Sequence, residues 1–272
     1  MFNLELARRA AENLQHLRET KPLIHNITNY VVMNYTANAL LACGASPVMA
    51  HAVEEVEEMV SFAKALVLNI GTLSPPWIEA MIKAGKKANA LQIPVILDPV
   101  GSGATRLRTE TSRKLLTEIS IQVIRGNASE ILSLSNSQSE GQTKGVDSVH
   151  TVDQATETAM ILARELQTTL AITGAIDLIT NGYQVCRVLN GHPLMSTVTG
   201  TGCTATALMG AFLGVDPDPL QAAATSLAYF GLAGEKAAAG AAAPGSFQIA
   251  LLDALFLLNP EELATGARIG HE

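Results

Sequence analysis

Pro94-Val95-Ile96-Leu97-Asp98-Pro99-Val100-Gly101 decides the fold: a short apolar run ends on a carboxylate, a proline and a glycine. Such a run, bounded by turn residues, reads as a strand buried on both faces, as in a parallel sheet. The pattern recurs on either side. Residues 46–50, 65–70 and 122–125 read as strands that close on polar or glycine residues, with helical spacing over residues 30–42, 52–63, 76–91 and 109–118. Strand–helix alternation of this period predicts an α/β fold with a doubly wound parallel sheet. Ligands gather beyond the carboxyl ends of such strands. The informative positions are therefore Met49-Ala50-His51, Gly71-Thr72, Asp98-Pro99-Val100-Gly101 and Arg125-Gly126-Asn127.

Outward from this core the signals change. Residues 1–21 carry apolar side chains at helical spacing. His25-Asn26-Ile27-Thr28-Asn29-Tyr30-Val31 is polar enough to predict a solvated loop ahead of a helix. Residues 135–145, rich in Ser, Gln and Gly, predict a polar loop, and residues 153–166 a helix. Residues 169–173, 177–180 and 184–189 form a strand-rich patch in which Asn181-Gly182 marks a hairpin. After Gly200 the spacing is nearly all helical. With no internal repeat and no linker, residues 1–272 read as one domain.

The 272 residues are 48% hydrophobic, ample for a buried core, and only 4% aromatic, so that core is aliphatic. A net charge of −7 argues against a nucleic-acid partner. It also means that a polyphosphate would have to be held by backbone N–H groups, a divalent cation and a few placed cations. Cys43, Cys186 and Cys203 are too few and too scattered for a disulfide framework or a zinc site, so a reducing cytoplasm is expected. The Ala-rich stretch 222–243 is broken by Glu235 and Lys236 and does not read as a membrane span.

Three stretches carry chemistry, each with a plainer alternative. Gly200-Thr201-Gly202-Cys203 precedes an apolar helix over residues 205–213. Free N–H groups at a helix start favour phosphate, or the glycines merely cap a core helix. No G-x-x-x-x-G-K-[ST] occurs, which excludes a P-loop. Cys203 falls in the first helical turn, where a thiol's pKa is lowered, though a small buried hydrophobe is the commoner fate of a lone cysteine. Asp98 is placed to hold Mg²⁺ through water, or simply forms a turn before Pro99. Asn127 and Glu130 either frame the same metal–phosphate site or cap a helix.

Taken together, Pro22-Leu23-Ile24-His25-Asn26-Ile27-Thr28-Asn29-Tyr30-Val31-Val32, residues 44–50, Asn69-Ile70-Gly71-Thr72, residues 94–103 and 125–131, Ile172-Thr173-Gly174 and residues 199–203 resemble the hydroxyethylthiazole kinase family over nearly the whole chain. The resemblance implies a ribokinase-like three-layer sandwich, a mostly parallel central sheet with helices on both faces. It implies ATP-dependent phosphorylation of the hydroxyl of 4-methyl-5-(2-hydroxyethyl)thiazole, with Mg²⁺, in thiamine biosynthesis or salvage. By that resemblance Met49, Gly200 and Asn26 are substrate-side residues, Arg125 and Thr173 contact ATP, and Asp98 and Glu130 organise the metal. Gly200, Thr201 and Gly202 form the anion hole and Cys203 is the catalytic candidate. A homotrimer with shared sites is also implied. Gly174-Ala175-Ile176-Asp177 departs from the pattern by lacking the Glu or Lys often found near its second position. Competing readings are a related kinase for another alcohol such as a hydroxymethylpyrimidine, a non-catalytic binding protein, and an ATP-dependent dehydratase of hydrated nicotinamide cofactors.

Overall fold

The computed structural model describes residues 2–135 and 152–271. Residues 136–145 of the expected polar loop lie outside the described residues. In chain order the elements begin with α1 (Leu4–Thr20), β1 (Leu23–Ile27), α2 (Met33–Cys43), β2 (Ser46–Val48), α3 (Val56–Ser61) and β3 (Ala65–Asn69). They continue with α4 (Pro75–Ala90), β4 (Val95–Asp98), α5 (Arg106–Glu118), β5 (Val123–Gly126), α6 (Ala128–Leu132), α7 (Val152–Leu166) and β6 (Thr169–Ile172). The hairpin β7 (Asp177–Thr180) and β8 (Val185–Val188) leads through a 3-10 turn (Pro193–Thr197) to α8 (Thr201–Leu213), α9 (Pro219–Gly240), α10 (Pro244–Leu257), α11 (Pro260–Gly266) and β9 (Ile269–His271).

The nine strands among the described residues form one sheet in the order β2-β1-β3-β4-β5-β6-β7-β8-β9. Neighbours from β2 to β6 pair in parallel, and β6 to β9 pair antiparallel. Alternation along each strand splits the core in two. Ile24, Val67, Ile96, Val123 and Ala171 face α1, α2 and α8–α11. Leu66, Leu68, Val95, Leu97, Ile124 and Leu170 face the layer of α3–α7. Every residue of β3 and β4 is buried, which is why they read as unbroken apolar runs.

One expectation is corrected. The polar cluster that begins at His25 is not a solvated loop: Leu23–Ile27 is β1, between β2 and β3, and His25, Asn26, Thr28 and Asn29 are buried. Their polarity hid a central strand. After Gly200 the chain is nearly all helical, as expected, and its C-terminus returns to the sheet as β9, paired with β8.

Chain order turns around at β1. It is followed by β2 on one side and then by β3 on the other, so the crevice between the ends of β1 and β3 is a topological switch point.

Candidate active site

Register sets the polar ends of the strands side by side. Asn69 pairs with Asp98 across β3 and β4, and Gly126 pairs with Ile172 across β5 and β6, just ahead of Thr173. Over this edge comes the start of α8. Gly200 is its N-cap residue, with φ +85° and no side-chain cap, and the helix opens at Thr201. This is earlier than the expected 205, so Thr201, Gly202 and Cys203 form the first turn and their N–H groups have no intrahelical acceptor. A Cβ on Gly200 would lie 2.6 Å from Val32 Cγ1. Gly200→Ala combines that clash with a left-handed backbone that costs about 1–2 kcal/mol. Its melting temperature is expected to fall by several degrees along with activity, as differential scanning fluorimetry and a turnover assay would show.

Asp98 is the hub. Its Oδ2 accepts hydrogen bonds from Asn69 Nδ2 at 2.9 Å and Thr206 Oγ1 at 2.8 Å, and lies 3.9 Å from Arg125 Nη1. Its Oδ1 is buried with no hydrogen-bond partner among the described residues. Burial pushes the carboxyl up to about 6, against the pull of Arg125 and Thr206 and with a further push from the Glu130 charge. A fully buried carboxylate with one oxygen unpartnered suits a divalent cation. The described residues contain no cluster of three or more His, Cys, Asp or Glu, so most ligands of such a cation would be water or phosphate.

Glu130 takes its capping reading and adds a second tie. Asn127 and Glu130 form a capping box at the start of α6. Glu130 Oε2 accepts from Asn127 N at 2.9 Å while Oε1 accepts from Gly101 N at 2.8 Å. Glu130 therefore ties the α6 cap to the turn after Asp98.

Arg125 Nη2 donates to Thr173 Oγ1, and Thr173 N donates to Gly126 O at 2.9 Å. Arg125 and Thr173 line a cavity of about 520 Å³ with Asp177, Thr201 and Gly202. Burial also pushes the Asp177 carboxyl up to about 6, although Gly174 N donates to its Oδ1 at 3.0 Å. This cavity joins the cationic end of Arg125 to the positive end of α8.

Cys203 is half-buried and stands over the switch point. Asn29 Nδ2 donates to Asn69 Oδ1 at 2.9 Å and lies 3.4 Å from Cys203 Sγ. The thiol departs from the sequence expectation: burial, then the Asp98 charge, push it up to about 11, against hydrogen bonds from Asn69 and Asn29. At the helix start Cys203 is a neutral thiol, since desolvation beside a carboxylate outweighs the helix dipole.

Asp98, Arg125, Thr173, Thr201, Gly202 and Cys203 thus share one edge. Met49 and Asn26 stand at the neighbouring strands β2 and β1. Met49 is half-buried against the α8-side core. Asn26 Nδ2 donates to Ile24 O at 2.9 Å, and its buried Oδ1 has no partner among the described residues. Sequence reading missed the roles of Asn29, Asn69 and Thr206. Asn69 did lie at a strand's carboxyl end, which is the one signal that would have singled it out.

The hydroxyethylthiazole kinase family model matches residues 14–261. Hydroxyethylthiazole kinase from Desulfotalea psychrophila is 62% identical over 269 residues, spanning 99% of this chain and 97% of that relative. The solved structure of hydroxyethylthiazole kinase from Pyrococcus horikoshii OT3 is 46% identical with a TM-score of 0.88, covering 97% of this chain and 99% of that one. A ribokinase-like superfamily protein from Enterococcus faecalis V583 shares the fold at 15% identity and a TM-score of 0.63, over 93% and 94% of the two chains. The expected ribokinase-like sandwich is the observed one, and the chain belongs to the hydroxyethylthiazole kinase family.

Proposed function

We propose that this chain, residues 1–272 acting as one domain, transfers the γ-phosphoryl group of ATP to the hydroxyl of 4-methyl-5-(2-hydroxyethyl)thiazole, in thiamine biosynthesis or salvage. The observation that carries this reading is the meeting of an unpartnered buried carboxylate oxygen, an arginine and an uncapped helix start at one strand edge beside a large cavity. ATP lies in the cavity with its phosphates toward Arg125, Thr173 and the first turn of α8. Asp98 and Glu130 would hold Mg²⁺, which when bound would supply charge neutralisation on the phosphates.

The remaining steps belong to the chain itself. N–H groups of Thr201, Gly202 and Cys203 meet the charge of the transferring phosphoryl group. Met49 and Gly200 position the thiazole at the switch point, with Asn26 near its alcohol. Positioning and charge neutralisation dominate phosphoryl transfer, because the transition state is loose and the alcohol becomes acidic late. Cys203, a neutral thiol at physiological pH, orients the alcohol, whose proton leaves to a phosphoryl oxygen or to water as the new bond forms. Cys203→Ala is therefore expected to lose less than the 10²–10⁴-fold typical of a general base. A steady-state kcat below detection would contradict this.

The reading extends to a cytoplasmic homotrimer whose sites are shared between subunits, in keeping with Tyr30 and Val31, which stand exposed just beyond Asn29. No helix among the described residues is long and apolar enough to cross a membrane. A substrate panel tests the specificity. ADP release should be strongly stimulated by the hydroxyethylthiazole and weakly, if at all, by a hydroxymethylpyrimidine. The reverse preference would assign the site to a different alcohol.

A further inference from the structure

One wall of the cavity belongs neither to the sheet edge nor to α8. Asn190, Gly191, His192 and Pro193 form it, and the last three are solvent-exposed on their outer side. This strap is held from α9 and the C-terminal segment. Glu235 Oε1 accepts from Gly191 N at 2.8 Å and from Asn190 Nδ2 at 3.2 Å. Arg268 grips the same carboxylate with both terminal nitrogens, Nη2 to Oε1 at 2.6 Å and Nη1 to Oε2 at 3.0 Å, and Nη2 also donates to Leu189 O. Arg268 N donates to Asn190 Oδ1 at 2.7 Å, and Asn190 Nδ2 to Gly266 O at 3.0 Å. On α9, a Cβ at Gly231 would fall 2.5 Å from the Asn190 carbonyl, so the strap lies directly on the helix.

We infer that Glu235, braced by Arg268, is a positioning residue that fixes residues 190–193 as the outer wall of the nucleotide cavity. The inference rests on the proposed binding of ATP in that cavity. Hydrogen bonds from Arg268 and Gly191 hold the Glu235 carboxyl below its usual range even though partial burial acts the other way. The pair is too exposed, at 23% and 37%, to add much to global stability. Its geometry instead serves the strap: the bidentate fork fixes the carboxylate, and the carboxylate fixes the Gly191 main chain.

The test compares parent, Glu235→Ala and Glu235→Gln by ATP titration, by KM for each substrate and by thermal melting. Glu235→Ala is expected to raise both Kd and KM for ATP about tenfold, as loss of a charge-assisted hydrogen bond does. KM for the thiazole should stay within about twofold and Tm within about 3 °C. Glu235→Gln keeps an oxygen for Gly191 N and should recover to within about threefold of the parent. ATP affinity unchanged in Glu235→Ala would overturn the inference, as would parallel loss of both substrates together with Tm. If Glu235→Ala does not fold, Arg268→Lys, which keeps the charge and loses the fork, should weaken ATP about threefold. Unchanged affinity there overturns the inference equally. A parent protein that binds no ATP would overturn the functional reading and this inference with it. Binding by the parent that is matched by the variants overturns the inference alone.

Discussion

Asp98→Asn is expected to lower kcat/KM by on the order of 10³-fold while leaving the fold intact. The amide oxygen can keep both acceptor roles now played by Oδ2, toward Asn69 and Thr206. What disappears is the negative charge that faces Arg125 and that would hold Mg²⁺. Stability should move the other way. The folded carboxyl sits at about 6 because burial disfavours its charged form. The unfolded chain releases this proton from about pH 4 and the folded chain only near pH 6, so ionisation favours unfolding across that window. The ligand-free parent therefore loses stability from this group as pH rises from about 4 to 6, and the asparagine variant does not. Thermal melts should show the variant gaining on the parent between pH 4 and pH 7, ending equal or a few degrees higher. A variant that keeps a tenth of parental turnover, or melts well below the parent at pH 7, would contradict this assignment.

Gly202→Ala is expected to lower kcat/KM for ATP by about 10²-fold with almost no change in melting temperature. A Cβ at this position would lie 2.6 Å from Arg125 Nη1 and 3.1 Å from Nη2. The obstacle is the far end of a side chain, so the fold can yield, and alanine in a helix is intrinsically better than glycine by about 0.5–1 kcal/mol. Arg125 has to leave its place between Thr173 and Asp98. A double-mutant cycle with Arg125→Ala checks the route. If Gly202 acts through Arg125, adding Gly202→Ala to Arg125→Ala should cost little more. Full additivity of the two effects would show that Gly202 is needed for another reason.

The strands that decide the fold were legible because parallel strands buried on both faces read as plain apolar runs. Residues 65–70, 94–97 and 122–125 fall within a residue or so of β3, β4 and β5. The strand β1 was not legible for the same physical reason turned around. His25, Asn26, Thr28 and Asn29 are buried polar groups at the switch point, and His25 Nε2 bonds Ala50 O while Asn29 bonds Asn69. Hydrogen bonding among these buried groups overrides the local hydrophobic pattern there. The helix expected over residues 52–63 shrinks to Val56–Ser61, in which Val56 and Val60 are buried. In the candidate site, Asp98, Arg125 and the glycine turn could be found because each follows or precedes a recognisable element. The hydrogen bond from Thr206 to Asp98 spans 108 residues, and no local spacing encodes it. The outer cavity wall at residues 190–193 and the α9 side at Phe230 likewise come from distant segments that carry no motif.

The central claim is tested most directly by product analysis. Purified protein, MgATP and 4-methyl-5-(2-hydroxyethyl)thiazole are incubated together, and the products are followed by ³¹P NMR and mass spectrometry. The account predicts a thiazole monophosphate ester formed in equal amount with ADP, and abolished by EDTA. ADP without the phosphate ester, or no reaction at saturating thiazole, would contradict it.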